Sequence, residues 1–541
     1  MIRCLKAVMV LMGLLAVSSC ITHTPVRTFD SVNKPGPPPS CPTTMPSSQQ
    51  ACAQGGPFPD PNIASTSICT SSAELRADGP QADAHRRAVS CVSHERHLHV
   101  SESPTSLAHG GFDLHVLEFD DEGMPWNPAQ QDRTFDVLQD QLAVHPAVIV
   151  TFVHGWKNDA TVCNGNLSCF RDVLEILSKA ETLFAGPHGR PRRVIGVYVG
   201  WRGGTIRLRG AKQLTFWGRK HTAHVVGDNG AVTAVIERLR AMVAKPRRAR
   251  STERSFETTS LVFVGHSFGA ALLFSAVATS LNGSVGAAIQ KATGATPAQA
   301  EQATSQRALT NARPLISNRK VRVRTAGDLV ILVNPAMEAS RFANLTQTRN
   351  LRFEVEQMPI FMTVASDADS AVGGFFPFGQ AFATVARSAR SRDIWFSMVK
   401  GFGLYEPYLT HRLALKPEEG IPLPESVSGT CRCTSNLGAF GDALVMRLGR
   451  LYQYLGDPST PPPTPDKLSL AAYQEMLFSR FEPVRDVDPN NPFIMASVDP
   501  AIIGGHSEIF NPRFMDFLIE YIIQTEIKRS LVKDYGPETV Q

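Results

Sequence analysis

The stretch TTSLVFVGHSFGAALLFSAVA, residues 258–278, passes from one apolar run to another through Gly265-His266-Ser267-Phe268-Gly269 with no polar loop between them. The first run is short and built of Leu, Val and Phe, as in a strand buried on both faces. The second is long and alanine-rich, as in a helix. A strand turns directly into a helix when the corner residue accepts a strained backbone and its neighbours have almost no side chain; Gly265 and Gly269 meet that requirement. Such a corner lifts the Ser267 hydroxyl above the sheet edge. It also sets the following N–H groups at a helix N-terminus, where developing negative charge is stabilised.

Working outward, short apolar runs of the same kind recur at 112–119, 147–155, 193–201, 328–335, 359–366 and 491–498, and amphipathic helical patterns fill 169–184 and 229–244. Strand and helix in alternation predict an α/β fold, a mostly parallel sheet with helices on both faces. Two stretches break the alternation. Residues 281–320 are rich in Ala, Thr and Gln, and residues 373–490 are long and mixed, with the proline-rich PSTPPPTPDK at 458–467. Both read as insertions, the longer as a lid over the carboxyl ends of the strands, where ligands of such folds bind.

The N-terminus has a different character. Arg3 and Lys6 precede an apolar run from Ala7 to Val17, too short to span a bilayer, which ends in Ser18-Ser19-Cys20. That layout predicts an export signal over residues 1–20. Val17-Ser18-Ser19-Cys20 resembles the bacterial lipobox, which implies lipid attachment at Cys20 and a membrane-anchored envelope protein; Ile21, in place of Asp, favours the outer membrane in a Gram-negative host. Residues 21–105, rich in Pro, Ser, Thr and Gln without a period, read as a tether, leaving 106–541 as the folded domain. Beyond Cys4 and Cys20, eight cysteines remain at 41, 52, 69, 91, 163, 169, 431 and 433. An even number in an exported chain predicts disulfides, with Cys163–Cys169 the first candidate pair.

The formal net charge of +5 is small for 541 residues, and acidic and basic residues alternate. No nucleic-acid footprint follows from it. The basic run KPRRARSTER at 245–254 reads as a solvated loop. No phosphate loop, dinucleotide fingerprint or zinc-ligand spacing occurs, so neither metal nor cofactor is expected.

An elbow serine needs a base, a carboxylate to orient that base, and donors for an oxyanion. From Gly265-His266-Ser267-Phe268-Gly269 onward the sequence resembles the α/β-hydrolase superfamily, over about residues 110–280 and 325–525. FVHGW at 152–156 followed by VYVGWRGG at 197–204 is similar to a bacterial subgroup of esterase- and lipase-related serine hydrolases. The resemblance implies that Ser267 is the nucleophile and that the base is His506, in a loop between the last strand and the final helix. His411, His221, His224 and His266 are poorer placed, and His154 belongs to the His-Gly-x oxyanion pattern. For the acid, FMTVASDADSAV offers Asp367 and Asp369; Ser366-x-x-Asp369 resembles the acid loop of some members, which favours Asp369, with Asp367 as the alternative. The oxyanion donors are then the N–H groups of Phe268 and Trp156. The implied activity is cleavage of a carboxylic ester, on a lipid-like or other small substrate. The same triad would serve a thioesterase, an amidase or peptidase, or an acyltransferase, and an inactive envelope binding protein is the remaining alternative.

Overall fold

The structure, a computed structural model, describes residues 94–98, 111–160, 164–185, 191–203, 216–244, 259–293, 320–323, 329–371, 391–416 and 469–535. The expected signal segment, Cys20 and most of the expected tether lie outside these residues.

Twelve strands are described: β1 His94–Leu98, β2 Gly111–Phe119, β3 Ala147–Val153, β4 Arg193–Trp201, β5 Ser260–His266, β6 Lys320–Val321, β7 Leu329–Val333, β8 Arg352–Phe353, β9 Phe361–Ser366, β10 His411–Leu415, β11 Ser479–Pro483 and β12 Phe493–Val498. Seven helices accompany them: α1 Pro128–Val144, α2 Gly165–Ala185, α3 Phe216–Asp228, α4 Ala231–Ala244, α5 Phe268–Thr293, α6 Arg392–Val399 and α7 Pro512–Tyr535. Ten strands form one sheet in the order β1-β2-β4-β3-β5-β7-β9-β12-β10-β11, and β6 pairs with β8 separately. From β2 to β10 every neighbouring pair is parallel; only the outermost strands, β1 and β11, run antiparallel to their neighbours.

Alternation along the central strands divides the core into two layers. Val148, Val150 and Phe152 of β3 with Val262 and Val264 of β5 face Leu174 and Leu177 of α2 and Ile519 and Ile522 of α7. Ala147, Ile149, Val153, Leu261 and Phe263 face Phe135 of α1, Ile236 and Leu239 of α4, and Leu272 of α5. Helices therefore cover both faces. At the amino ends of the strands the buried Arg192 bridges Glu181 of α2, Glu526 of α7 (2.8 Å) and the Ser260 hydroxyl of β5 (2.7 Å), so the helices of one layer are fixed to the sheet at the end opposite Ser267.

Three segments differ from the sequence expectation. His94–Leu98, inside the expected tether, pairs with β2 as an edge strand. Within 281–320, residues 281–293 continue α5, because Leu281, Val285, Ala288, Ile289 and Ala292 repeat at helical spacing and are buried. Within 373–490, the described parts are not all set over the sheet: β10 and β11 belong to it. Residues 373–390 and 417–468 of the expected lid lie outside the described residues. Cys169, buried in the first turns of α2, is disulfide-bonded, and every other cysteine, Cys163 included, lies outside the described residues.

Candidate active site

The carboxyl ends of three adjacent strands, β3, β5 and β7, carry Lys157, Ser267 and Asn334, and these are the residues other than glycine with positive φ among the described residues (69°, 55° and 44°). Left-handed backbone at a residue with a side chain costs on the order of 1 kcal/mol or more, and such strain concentrates where geometry must be held. At Ser267 the strain is compensated by the bonds around it. Its N–H donates to Val333 (3.0 Å), and its carbonyl accepts from Ala270 (3.1 Å), Ala271 (3.2 Å) and Ala336 (3.2 Å).

The two flanking glycines are required by contact, since neither has positive φ. A Cβ on Gly265 would lie 2.7 Å from the Ala270 Cα, and one on Gly269 would strike the carbonyl oxygens of Val153 and His154. The helix thus starts in direct backbone contact with the end of β3. Gly155 approaches from that side: a Cβ there would lie 2.9 Å from both the Ser267 Cβ and the His266 Nδ1. The next residue, Trp156, has its ring 6.4 Å from that of Phe268, so the two residues expected to supply oxyanion donors are neighbours in space.

Ser267, His506 and Asp369 form one hydrogen-bonded row. The Ser267 Oγ lies 2.7 Å from the His506 Nε2, and the His506 Nδ1 lies 2.7 Å from the Asp369 Oδ2. A carboxylate accepts only, so Nδ1 carries the proton and Nε2 presents its lone pair to the serine hydroxyl. The Asp369 side chain is fully buried and that of His506 is 20% exposed, which leaves the imidazole reachable from the solvent side. Asp369 turns inward because its N–H closes a turn on the Ser366 carbonyl (3.1 Å) at the end of β9. Asp367 turns outward: its side chain is 39% exposed and 3.9 Å from Arg412. Partial burial raises the Asp367 carboxyl, and the nearby Arg412 opposes that rise.

Four other histidines are engaged by neighbouring groups, and His221, in α3, is exposed. His154 accepts from the Trp201 N–H at Nε2 (3.1 Å) and donates from Nδ1 to the Gly155 carbonyl (3.0 Å), stacked between Tyr198 and Trp201. His224 meets Ser275, and His411, the first residue of β10, meets Thr410. His266 donates from Nε2 to the His506 carbonyl (2.9 Å). Burial, the dominant cause in each, depresses His154 and His411 to about 4 and His266 and His224 to about 3.

A consequence for stability follows. These imidazoles stay neutral in the folded chain but take a proton in the unfolded one below the ordinary value of 6.5. Their contribution is complete above that value and is lost as pH falls from about 6.5 toward 4, by up to about 1.4 kcal/mol per pH unit for each group. Urea midpoints are expected to fall from pH 7 to pH 5; a flat profile would contradict the neutral assignment.

Sequence reasoning did not single out Asn334 or the role of Ser366. The Ser366 hydroxyl donates to the Ile503 carbonyl (2.5 Å), joining the loop of Asp369 to that of His506. The available signal was the Asn-Pro pair directly after the β7 run. Among the described residues no group of three or more His, Cys, Asp or Glu is placed to hold a metal ion. Comparison with protein-family models, curated proteins and solved structures finds no match to this chain.

Proposed function

We propose that the protein is a serine hydrolase of the α/β-hydrolase type that cleaves a carboxylic ester. The observation that carries this is the unbroken row from the Ser267 Oγ through His506 to the buried Asp369, with 2.7 Å at each step. Ser267 attacks the acyl carbon as its proton passes to the His506 Nε2. The imidazolium so formed is held by Asp369. The substrate oxygen, now negative, takes N–H groups from Phe268 and Trp156 beside the positive end of α5. His506 then gives its proton to the leaving alkoxide, and the alcohol departs. Water repeats the sequence on the acyl-enzyme: His506 takes its proton, hydroxide adds to the acyl carbon, and Ser267 leaves reprotonated as the acid is released.

The residues required are all of the chain's own, and no step calls for a cofactor. The N-terminal export pattern with Cys20 supports a lipid-anchored protein of the bacterial envelope.

The test is a fluorophosphonate probe on the purified protein. Labelling is expected in the wild type and absent in Ser267→Ala; a folded wild type that stays unlabelled, or a labelled Ser267→Ala, overturns the reading. Phase partition of the labelled chain into detergent, lost on Cys20→Ser, is the expected sign of the anchor.

A further inference from the structure

Asn334, the first residue beyond β7, is fully buried, and its amide is committed at both ends. Oδ1 accepts the Ser366 N–H (2.8 Å), while Nδ2 donates to the carbonyls of Gly505 (3.2 Å) and His506 (3.1 Å). The orientation is fixed by chemistry: a flipped amide would set its oxygen against two carbonyl oxygens and its NH2 against an N–H. The Asn334 N–H continues the sheet by donating to Val364 (2.8 Å), so the amide is anchored in the ladder rather than in a loop.

The His506 carbonyl therefore takes two donors from two strand ends. One is Asn334 after β7; the other is His266, the last residue of β5 and the neighbour of Ser267. Through Ser366, the same Asn334 also holds the turn that carries Asp369. The loop from Asp499 to Asn511 that bears His506 belongs to no strand or helix, so nothing in its own secondary structure fixes the imidazole. We infer that Asn334 and His266 are positioning residues, a clamp on the His506 main chain that sets its ring between Ser267 and Asp369. This rests on the serine-hydrolase reading above for its catalytic consequence, though not for its geometry.

Neither residue touches the reacting atoms. Each acts through the Cα of His506: if the carbonyl moves, the ring cannot keep both nitrogens at bonding distance, and misplacement by about 1 Å costs roughly a hundredfold in rate. Asn334→Asp is the sharpest variant, because it keeps the shape and the tolerance for positive φ while opposing a carboxylate to two carbonyl oxygens. His266→Leu removes the second donor, and His266→Gln restores an N–H near the same place.

The experiment measures three quantities on the full chain: the fluorophosphonate labelling rate, kcat and KM for p-nitrophenyl acetate, and the low-field proton resonance of the His506 Nδ1–H. Asn334→Asp and His266→Leu are expected to lose about a hundredfold in labelling and kcat with KM within about twofold. His266→Gln should recover most of the loss. The low-field proton should disappear in the two damaging variants and persist in Ser267→Ala. Clamp variants that fold and yet label at the wild-type rate with that proton unchanged overturn the clamp; if Asn334→Asp does not fold, the His266 pair decides. Should the wild type itself fail to label while the proton responds as described, the clamp stands and the hydrolase reading falls.

Discussion

Replacing Ser267 or His506 by alanine is expected to lower kcat for a p-nitrophenyl ester by about 10⁵ to 10⁶, with the double variant no worse than either single one. In the proposed mechanism the reason is the shared step: proton transfer from Oγ to Nε2, which lie 2.7 Å apart, is one event, and removing either end removes it. Activity left in the variants would come from the oxyanion donors and from substrate binding, on the order of 10³ over water. Both proteins should remain folded. Serine and alanine at φ 55° carry similar backbone strain, and the bonds at the corner belong to the Ser267 backbone rather than its hydroxyl. Kinetics with active-site titration separate the outcomes. A Ser267→Ala protein retaining a tenth of wild-type activity would place the nucleophile elsewhere, and additive losses would mean that the two groups serve different steps.

The legibility of this molecule in its sequence follows burial. The seven apolar runs read as strands correspond to β2, β3, β4, β5, β7, β9 and β12, which lie within the parallel part of the sheet, where both faces demand apolar side chains. HERHL, HRLAL and SRFEP escaped because β1, β10 and β11 lie at or next to the margins, and charged side chains at such margins discourage pairing with other chains. Residues 281–293 read as an insertion rather than a helix for a related reason. Ala, Gly and Ser weaken the apolar signal, while Leu281, Val285 and Ile289 still mark a buried helical face.

At the site, Ser267 was legible because two glycines are needed where α5 meets the carbonyls ending β3. His506 followed from chain order. Asn334 was not, since it works on main-chain carbonyls of residues 505 and 506, and nothing in the side-chain pattern encodes which carbonyl a distant amide will reach.

The choice between the two aspartates yields the second large effect. Asp369→Asn is expected to lower kcat by about 10⁴, while Asp367→Asn stays within about twofold of the wild type. Both follow the same strand two residues apart, and their environments diverge because the turn closed on Ser366 sends one carboxylate inward and the other toward Arg412. With asparagine at 369 the amide is free to offer its NH2 to His506. The ring then carries its proton on Nε2 and has no lone pair for the Ser267 hydroxyl, so the geometry survives while the tautomer is wrong. Folding should be little affected, because the amide keeps the shape of the carboxylate. Asp367, by contrast, makes a partly exposed pair with Arg412 at 3.9 Å, a contact worth at most about 1 kcal/mol and remote in function from the imidazole. Measuring kcat for the two variants side by side tests the orientation of the loop rather than the mere presence of an acid. A larger loss for Asp367→Asn would reverse the assignment, and equal small losses would mean that His506 is held in its tautomer by something other than a carboxylate.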